Sequence, residues 1–281
     1  MRDYYTAKEA MKLLKLPNST FHLLVRRGEI PKVTLPLRKQ AIYPKKAIDE
    51  IAEKRRRILT ELEAKPETLT FVVPTKADLE QLIEIEKMCY HEETLKDPDT
   101  IVARMKYNPE NIHVLKDIRT GDVVGSITMS ELEPKALERL LNLEIDETHL
   151  ELEDYKPYKS GEIECYVVSI IAKPCIEQHY YASRLLVAIV EYLISLLERG
   201  TIIKNIYTVA TTEEGEALTK RLHFTPLKTE WTGEYEEFRH SYKLNLEGSS
   251  KNKLVNKYIQ AKRNLNRRMK RHKTREQQQA Q

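Results

Sequence analysis

Residues 169–193, SIIAKPCIEQHYYASRLLVAIVEYL, contain the change of pattern that determines the fold. The apolar run that leads into them, residues 167–172, is typical of a strand buried on both faces, and Pro174 then prevents further ladder pairing. Beyond Pro174, apolar residues recur at helical spacing from Leu185 to Leu193. We therefore predict a central strand, an eight-residue turn and a helix that packs back onto the sheet.

The predicted turn places the N–H groups of a helix N-terminus beside the end of a strand. Such a position attracts anions, because the helix dipole and the unpaired N–H groups both favour negative charge. A phosphate-bearing ligand is therefore predicted at this turn.

The strand and turn resemble the acyl-CoA-binding motif of the GNAT superfamily of N-acyltransferases. That motif has a strand ending S-I-A-V-x-P, then R/Q-x-x-G-x-G/A and a Leu-rich helix. Aligned without a gap, Glu177, Tyr180 and Ala182 occupy the R/Q, G and G/A positions, and only Ala182 agrees. Tyr180 adds bulk where glycine lets the backbone approach a diphosphate, and Glu177 adds a like charge. Gln178 supplies the polar role if the alignment shifts by one residue.

The resemblance implies an α/β (α+β) domain with a mixed central sheet, N-acyl transfer as the activity, and acetyl-CoA as co-substrate. By the same resemblance, the residues expected at the acyl-CoA are Ser169, Ile170, Ile171, Ala172, Glu177, Gln178, His179, Tyr180, Tyr181, Ala182 and Ser183.

Charge is distributed unevenly along the 281 residues, whose formal net charge is +4. Residues 1–60 carry +9, residues 61–250 carry −15 and residues 251–281 carry +10. Basic ends predict contacts with polyanions at the ends. The acidic middle suits cationic substrates, or binding of the basic tail.

The three cysteines, Cys89, Cys165 and Cys175, have neither metal-ligand nor C-x-x-C spacing. This predicts a reducing compartment, no disulfide framework and no bound metal. No apolar stretch approaches the roughly 20 residues of a membrane span, and the N-terminus lacks a signal-peptide core. We expect a cytoplasmic protein.

The N-terminal residues predict a helix-turn-helix. A capping box of Thr6 and Glu9 precedes a helix over residues 7–15. The turn at residues 17–19 caps a second helix, residues 20–27. Two short strands about a basic tip and a longer helix follow.

Residues 19–33, STFHLLVRRGEIPKV, resemble the winged helix-turn-helix of the MerR and excisionase families, whose pattern is S-T-v-y-r-l-i-r-r-G-e-l-P-a-v. The resemblance implies a recognition helix in the major groove of double-stranded DNA and a wing at the backbone or minor groove. The residues it places at DNA are Ser19, Thr20, His22, Arg26 and Arg27 on the helix, and Arg38 and Lys39 on the wing.

The helix predicted over residues 45–62 has an apolar stripe that Arg55 interrupts. The stripe consists of Ile48, Ile51, Ile58 and Leu62. Such a stripe either pairs with its copy in a dimer, as in MerR proteins, or packs on the wing. We favour a homodimer.

The chain thus divides into a winged helix-turn-helix domain (residues 1–63), a GNAT-like domain (69–246) and a basic tail (249–281). In the second domain the order of strand, two helices, hairpin, buried strand and turn is the GNAT order, with the hairpin turn at residues 119–121. Residues 134–162 are an extra piece that either lines a substrate entry or is a surface insertion.

Acyl transfer to an amine needs a base for the amine proton, a polarised thioester carbonyl and a proton for the thiolate. Glu162 and Glu164 alternate onto one face of the central strand, and we choose Glu164 as the base. The GNAT acid is often a tyrosine, but Thr219 stands at that position. Tyr180 or Tyr181 replaces it, or water does.

The helix after residue 212 resembles the family segment L-Y-x-k-l-G-F, which carries the acid tyrosine and closes the helix. His223 stands where that segment has its glycine.

The tail predicts a basic amphipathic helix with Lys and Arg around one apolar face. That face consists of Leu254, Tyr258, Ala261, Leu265 and Met269. Such a helix binds nucleic acid, an anionic membrane or the acidic domain, and the helix-turn-helix at the other end favours nucleic acid. The Gln-rich end is expected to be disordered.

Two functions are consistent with these features. The first is a DNA-binding regulatory protein whose second domain transfers an acetyl group from acetyl-CoA to an amine, such as a lysine side chain. The second is a DNA-binding regulator or nucleoid-type structural protein whose GNAT-like domain is catalytically inactive and senses a ligand, dimerises or binds a partner.

Overall fold

The fold is given by a computed structural model, which describes residues 3–34, 40–64, 68–90, 98–232 and 237–279. The chain packs as two compact units. The first comprises Met1–Leu95, Val114–Ser126 and Ile171–Leu185, and the second comprises Lys96–His113, Ile127–Ile170 and Leu186–Gln281. These units group segments that pack together, so they do not follow the predicted division along the sequence.

The N-terminal region is built from short helices and strands. They are β1 (Tyr4–Tyr5), α1 (Ala7–Leu14), α2 (Asn18–Arg26), β2 (Tyr43–Pro44) and α3 (Lys45–Ala64). The predicted capping box begins α1, since the Glu9 N–H donates to Thr6 Oγ1 at 3.3 Å and the Thr6 N–H donates to the Glu9 carboxylate at 2.8 Å. The second helix begins earlier than predicted, because Asn18 and Ser19 are helical and Pro17 is the N-cap.

An apolar cluster closes this helix-turn-helix. Its members are Ala10, Leu14, Leu16, Phe21, Leu24, Val25, Ile30, Tyr43 and Ile48. The wing has antiparallel pairing of Val33 with Ile42, and β1 pairs with β2. Arg38 and Lys39, predicted at the wing tip, lie outside the described residues. The predicted helix-turn-helix is confirmed.

The rest of the chain is an α/β region. Its elements are β3 (Leu69–Val72), α4 (Lys76–Cys89), α5 (Pro98–Tyr107), β4 (Ile112–Asp117), β5 (Asp122–Leu132), α6 (Pro134–Leu141), β6 (Tyr155–Lys156), β7 (Gly161–Ala172), α7 (Gln178–Glu198), β8 (Thr201–Ala210), α8 (Glu213–Arg221), β9 (Thr225–Thr232), β10 (Glu237–Asn245) and α9 (Lys253–Gln279). Two short 3-10 helices lie between α6 and β6. The predicted fold class, a helix-turn-helix followed by an α/β domain with a mixed sheet, is confirmed.

Within the described residues these strands form an eight-stranded sheet in the order β3-β4-β5-β7-β8-β10-β9, with β6 beside β5. Strands β7 and β8 are parallel, whereas β10 is antiparallel to both β8 and β9. The register of β7 and β8 shifts after Ile163, which pairs with Ile203, because Glu164 pairs with Asn205. Lys204 is therefore the extra residue of a bulge, a feature that re-aims neighbouring side chains.

The turn after β7 is shorter than predicted. Five residues, 173–177, separate β7 from α7, and the helix begins at Gln178 rather than at Leu185. The apolar period does not mark this start, because the first two turns of α7 carry polar and aromatic residues whose contacts are largely hydrogen bonds.

Helix α7 is long and apolar enough to cross a membrane by length and composition alone, with a mean hydropathy of 1.5. This corrects the prediction that no stretch approaches a membrane span. The core helix of a soluble protein has the same properties, and α7 buries Leu185, Leu193 and Leu196 at 0, 4 and 1 % exposure.

Helix α9 packs within the second unit, but its buried face is rotated by about one residue from the predicted face. The buried residues are Val255, Tyr258, Ile259 and Lys262. The Tyr258 hydroxyl accepts from the Ile203 N–H at 2.9 Å and donates to the Ile203 carbonyl at 3.2 Å. The helix continues to Gln279, into the Gln-rich end for which composition predicts disorder.

Candidate functional site

The turn after β7 lies against helix-turn-helix residues within the first unit. Thr20 Oγ1 donates to Gln178 Oε1 at 2.6 Å, and Gln178 Nε2 donates to the Ala172 carbonyl at 3.2 Å. Arg55 Nε, on α3, donates to the Ile176 carbonyl at 2.9 Å, and the Ile176 side chain packs on the helix-turn-helix cluster. The Gln178 amide therefore has protein partners at both its oxygen and its nitrogen.

Tyr180, predicted as a catalytic acid, is 9 % exposed. Its hydroxyl donates to the carbonyl of Leu62, near the end of α3, at 3.0 Å, and burial raises its pKa above the usual value. The phenol thus stabilises a contact with α3 in this conformation, so the structure does not place it as an acid. Burial raises the pKa of Tyr181 as well.

The backbone N–H groups predicted to receive a diphosphate are partly used by the turn itself. The Gln178 N–H donates to the Cys175 carbonyl at 3.2 Å. The N–H groups of Tyr180 and Tyr181 both donate to the Glu177 carbonyl, at 2.8 and 3.2 Å. These three N–H groups are therefore occupied by the turn itself in this conformation.

Most other residues predicted at the acyl-CoA keep access to solvent. His179 and Ser183 are exposed, and Ser169, Ile170, Ala172, Glu177 and Ala182 are partly exposed. Ile171 is buried at 3 % exposure.

The residues predicted to contact DNA divide between two faces of α2. The exposed ones are Ser19, His22, Arg26 and Arg27. Thr20 is 3 % exposed and hydrogen-bonded to Gln178, so it cannot reach a DNA base in this conformation. Its assignment to DNA is corrected for that reason.

A groove of about 620 Å³ opens in the second unit, and we call it the acidic groove. Its lining residues are Glu131, Leu132, Pro134, Leu137, Glu138, Leu141, Asn142, Lys156, Glu162, Ile163, Glu164, Lys204 and Tyr207. Four of these are glutamates and two are lysines. The excess of carboxylates favours a cationic ligand.

Glu164, the predicted base, lies in the acidic groove with an oriented carboxylate. Asn205 Nδ2 and the Tyr207 hydroxyl donate to Glu164 Oε1 at 2.7 and 3.2 Å. Burial raises the pKa of Tyr207 to about 12, which keeps its hydroxyl protonated at neutral pH. The Glu164 side chain is exposed, whereas Glu162 pairs with Lys204 at 3.3 Å. Glu164 therefore has the accessibility that a base in a cleft requires.

Glu131 is a groove residue that the sequence pattern does not identify. It is 9 % exposed, and its Oε2 has no hydrogen-bond partner in the described part of the chain. Burial raises its pKa above the usual value. The sequence hint of Glu131 is that an ionisable side chain stands near the end of the largely apolar strand DVVGSITMSEL. This hint is weak, because polar residues alternate with apolar ones in any hairpin that has one face in solvent.

Thr219, for which the resemblance implies the position of the acid, stabilises helix α8. Thr219 is 5 % exposed, and its Oγ1 donates to the Glu216 carbonyl at 2.8 Å. His223, at the end of α8, has a φ of +62°. The N–H groups of His223 and Phe224 donate to the Lys220 and Thr219 carbonyls at 3.1 and 3.0 Å, which ends the helix in a left-handed cap.

A family model described as a helix-turn-helix domain matches residues 4–56. The match includes α1, α2 and the first part of α3, so the chain carries a helix-turn-helix domain at this end. Comparison with curated proteins gives no match.

Several solved structures are similar to this chain at low identity. Ard1 from Thermoplasma volcanium is 15 % identical, over 63 % of this chain and 97 % of its own, with a TM-score of 0.42. NAA60 from Arabidopsis thaliana, in complex with acetyl-CoA, is 13 % identical, over 64 % and 100 %, with a TM-score of 0.44. The ribosomal-protein-S18-alanine N-acetyltransferase from Escherichia coli is 14 % identical, over 66 % and 97 %, with a TM-score of 0.42. At this level of similarity, these structures do not determine the activity of this chain.

Proposed function

We propose that this protein is a DNA-binding regulatory protein whose α/β domain transfers an acetyl group from acetyl-CoA to an amine. The acidic groove carries the proposal, because Asn205 and Tyr207 orient the Glu164 carboxylate there and Glu131 adds a buried carboxyl group. Its charge favours a cationic acceptor, such as a lysine side chain. The acetyl donor is inferred from the GNAT resemblance of residues 169–193.

The groove supplies the proton steps of N-acyl transfer. The acceptor enters as an ammonium ion and gives a proton to Glu164, and the neutral amine then attacks the thioester carbonyl. The C–N bond forms, the attacking nitrogen loses its second proton to water, the C–S bond breaks and the thiolate takes a proton from water. Glu131, whose pKa is raised by burial, is the second candidate for the base, since a base works best with a pKa near the working pH.

Acetyl transfer to small amines and to lysine peptides tests this function. Glu164→Gln and Glu131→Gln keep the shape of each side chain and remove its basicity, and we expect kcat/KM to fall by roughly 10²–10⁴-fold for the residue that acts as base. Glu198→Gln, exposed at the end of α7, is the control and should retain activity. Undiminished transfer by Glu164→Gln would show that Glu164 is not the base.

We propose double-stranded DNA as the partner of the helix-turn-helix, and transcription regulation through MerR-like recognition. Ser19, His22 and Arg26 support this, because they form one exposed face of α2 at the basic end of the chain. Arg38 and Lys39 of the wing are proposed to add backbone contacts. DNA affinity should fall steeply between roughly 50 and 200 mM salt, and a flat salt dependence would exclude phosphate-led binding.

A second candidate function is a DNA-binding regulator or nucleoid-type structural protein whose α/β domain is catalytically silent. The covered turn after β7 favours it, since Gln178 and Tyr180 are bonded to Thr20 and Leu62. Isothermal titration with acetyl-CoA separates the two functions. No heat at millimolar ligand, with the wild type and with Thr20→Val, would remove the transferase, and binding without transfer would indicate a ligand sensor.

A cytoplasmic location and a homodimer complete the proposal. The three cysteines support the location, because their number and spacing do not indicate a disulfide framework. Dimerisation through α3 stays a prediction, to be checked by sedimentation velocity. Two residues of the predicted stripe, Ile48 and Leu62, are 0 and 1 % exposed within the single chain, which favours internal packing of this helix.

A further inference from the structure

The turn after β7 is an interaction surface that the helix-turn-helix domain covers. Among the described residues, three hydrogen bonds join the two over separations of 158, 121 and 118 residues: Thr20 to Gln178, Arg55 to Ile176, and Tyr180 to Leu62. The donor side chains are 3, 8 and 9 % exposed. Buried bonds of this kind hold two surfaces together, because loss of one partner leaves a desolvated polar group.

The same contacts occupy the segment that an acyl donor would use. Under the proposed function, the phosphates of the donor lie at the start of α7, where Gln178 has both amide atoms bonded and Tyr180 is buried. Phosphates cannot replace these contacts without displacing Thr20 and the end of α3. The donor and the docked helix-turn-helix domain therefore compete for one surface.

The helix-turn-helix domain does not depend on this surface for its own core. Its cluster of nine buried residues lies entirely between residues 10 and 48, and from the turn only Ile176, partly buried, packs against it. Thr20, Gln178 and Tyr180 are not members of that cluster, so the covering hydrogen bonds are not part of it.

We propose that the helix-turn-helix domain is an intramolecular cover of the acyl-donor turn, and that acetyl-CoA binds only when this cover is released. This regulation of acetyl-CoA binding rests on the proposed function and acts at the same site. By linkage, weakening the cover raises the apparent affinity for acetyl-CoA, and acetyl-CoA in turn frees the helix-turn-helix domain.

Thr20→Val and Tyr180→Phe test the cover, because each removes one hydroxyl and keeps the side-chain shape. Isothermal titration of the full chain should give an acetyl-CoA Kd about fivefold lower in each variant, since one hydrogen bond is worth about that factor. Tyr258→Phe is the matched control. It removes the hydroxyl of a buried tyrosine that is bonded to the Ile203 carbonyl and not to the turn, and should leave the Kd unchanged.

Cys175 lies within the turn, so the reactivity of its thiol measures release of the cover in the absence of any ligand. Burial raises the pKa of its thiol to about 12, so its reaction with iodoacetamide is slow while the turn is covered. Mass spectrometry should show faster alkylation of Cys175 in Thr20→Val, by roughly fivefold. Cys89, exposed, and Cys165, buried, are the internal references and should react at their wild-type rates.

The possible outcomes separate the cover from the transferase. Tighter acetyl-CoA binding together with faster alkylation of Cys175 in Thr20→Val supports the proposal. Equal Kd values in the wild type and both variants overturn the cover and leave acetyl-CoA binding intact. Absence of heat in every protein overturns the cover together with the proposed transferase.

Discussion

Thr20 and Arg26 lie on different faces of α2, one bonded to Gln178 and the other exposed to solvent. The 3.6-residue period of the helix accounts for the separation, because it places Ser19, His22 and Arg26 together and turns Thr20 towards the cluster side. Thr20 has a single hydroxyl proton, and it is donated to Gln178 Oε1. Its position on the helix therefore decides whether it contacts DNA or the turn.

Arg26→Ala should weaken DNA binding roughly tenfold and reduce the salt slope by about one, because the variant loses one phosphate or base contact. Thr20→Val should change DNA affinity by less than about twofold without acetyl-CoA, because its hydroxyl already has a protein partner. Fluorescence anisotropy with a labelled duplex at several salt concentrations measures both. An equal loss in the two variants would mean that Thr20 is released when DNA binds.

Glu86, on α4, gives the stability of the fold a pH dependence, because burial raises its pKa from 4.5 to about 7. The folded state binds this proton more tightly than the unfolded chain does. The stabilisation is complete below the unfolded pKa and is lost as the pH rises through about 7. Ionised Glu86 therefore destabilises the fold at alkaline pH.

Glu86→Gln should accordingly raise the free energy of unfolding at pH 8 by about 1–3 kcal/mol, after allowance for partial exposure, and change it little at pH 4. Urea denaturation at both pH values checks this. Glu84→Gln, an exposed residue of the same helix, should show no such pH dependence. A gain that is equal at both pH values would assign the effect to packing instead of ionisation.

At the scale of elements, α8 ends in a strained cap. His223 adopts a φ of +62°, where a Cβ is unfavourable, and its N–H and that of Phe224 close the last turn. Glycine at this position would meet the same backbone requirement without the strain.

His223→Gly should therefore stabilise the protein by about 1 kcal/mol in urea denaturation, with an unchanged slope. His223→Ala, which keeps a Cβ, should give no gain and serves as the control. A stabilisation of similar size from alanine would show that the histidine side chain, and not its Cβ, causes the strain.

Strand β5 approaches other backbone closely at Gly125. A Cβ there would lie 2.9 Å from the Ile171 carbonyl oxygen and 3.2 Å from the Leu185 side chain. Gly125→Ala should destabilise the fold by about 1–3 kcal/mol, because a backbone oxygen within a strand cannot move aside without shifting the strand. Gly248→Ala, with open space around it, is the control for urea denaturation. Equal stability of the two variants would contradict the close approach.

The basic C-terminal tail has a beginning that packs on the folded domain and an end that is rich in Lys and Arg. Helix α9 is tied to β8 through Tyr258, and Lys257 pairs with Glu191 at 3.1 Å. Residues 269–281 carry four Lys and Arg against one Glu. The start of the tail thus belongs to the folded domain, and its end offers charge for a polyanion.

Deletion of residues 269–281 should leave the free energy of unfolding unchanged and reduce the salt slope of DNA binding by up to about 3–4, at roughly 0.9 per phosphate contact. Deletion of residues 277–281 alone, which removes no Lys or Arg, is the control. Anisotropy titrations over a salt series measure the slope. An unchanged slope in the longer deletion would show that this end does not contact DNA.

Local patterns predicted much of the fold and part of the site. The capping box of Thr6 and Glu9, the hairpin turn at Gly121 and the long strand β7 each follow from short-range chemistry. Burial of β7 on both faces was wrong for residues 167–172, because only Val167 and Ile171 are buried there. The exposed face of α2 and the strand position of Glu164 follow from periodicity. The position of Glu131 in the groove did not follow from a local pattern, because it depends on burial against residues that are distant in the sequence.

The sequence by itself determined that a helix-turn-helix precedes an α/β domain, that the chain is basic at both ends, and that a turn follows the central strand. Only the tertiary structure decided that Thr20, Arg55 and Leu62 meet that turn, and that Tyr180 bonds to α3. Periodicity and capping act within a few residues. Contacts between residues more than one hundred positions apart depend on how the folded surfaces fit together, which no local pattern encodes.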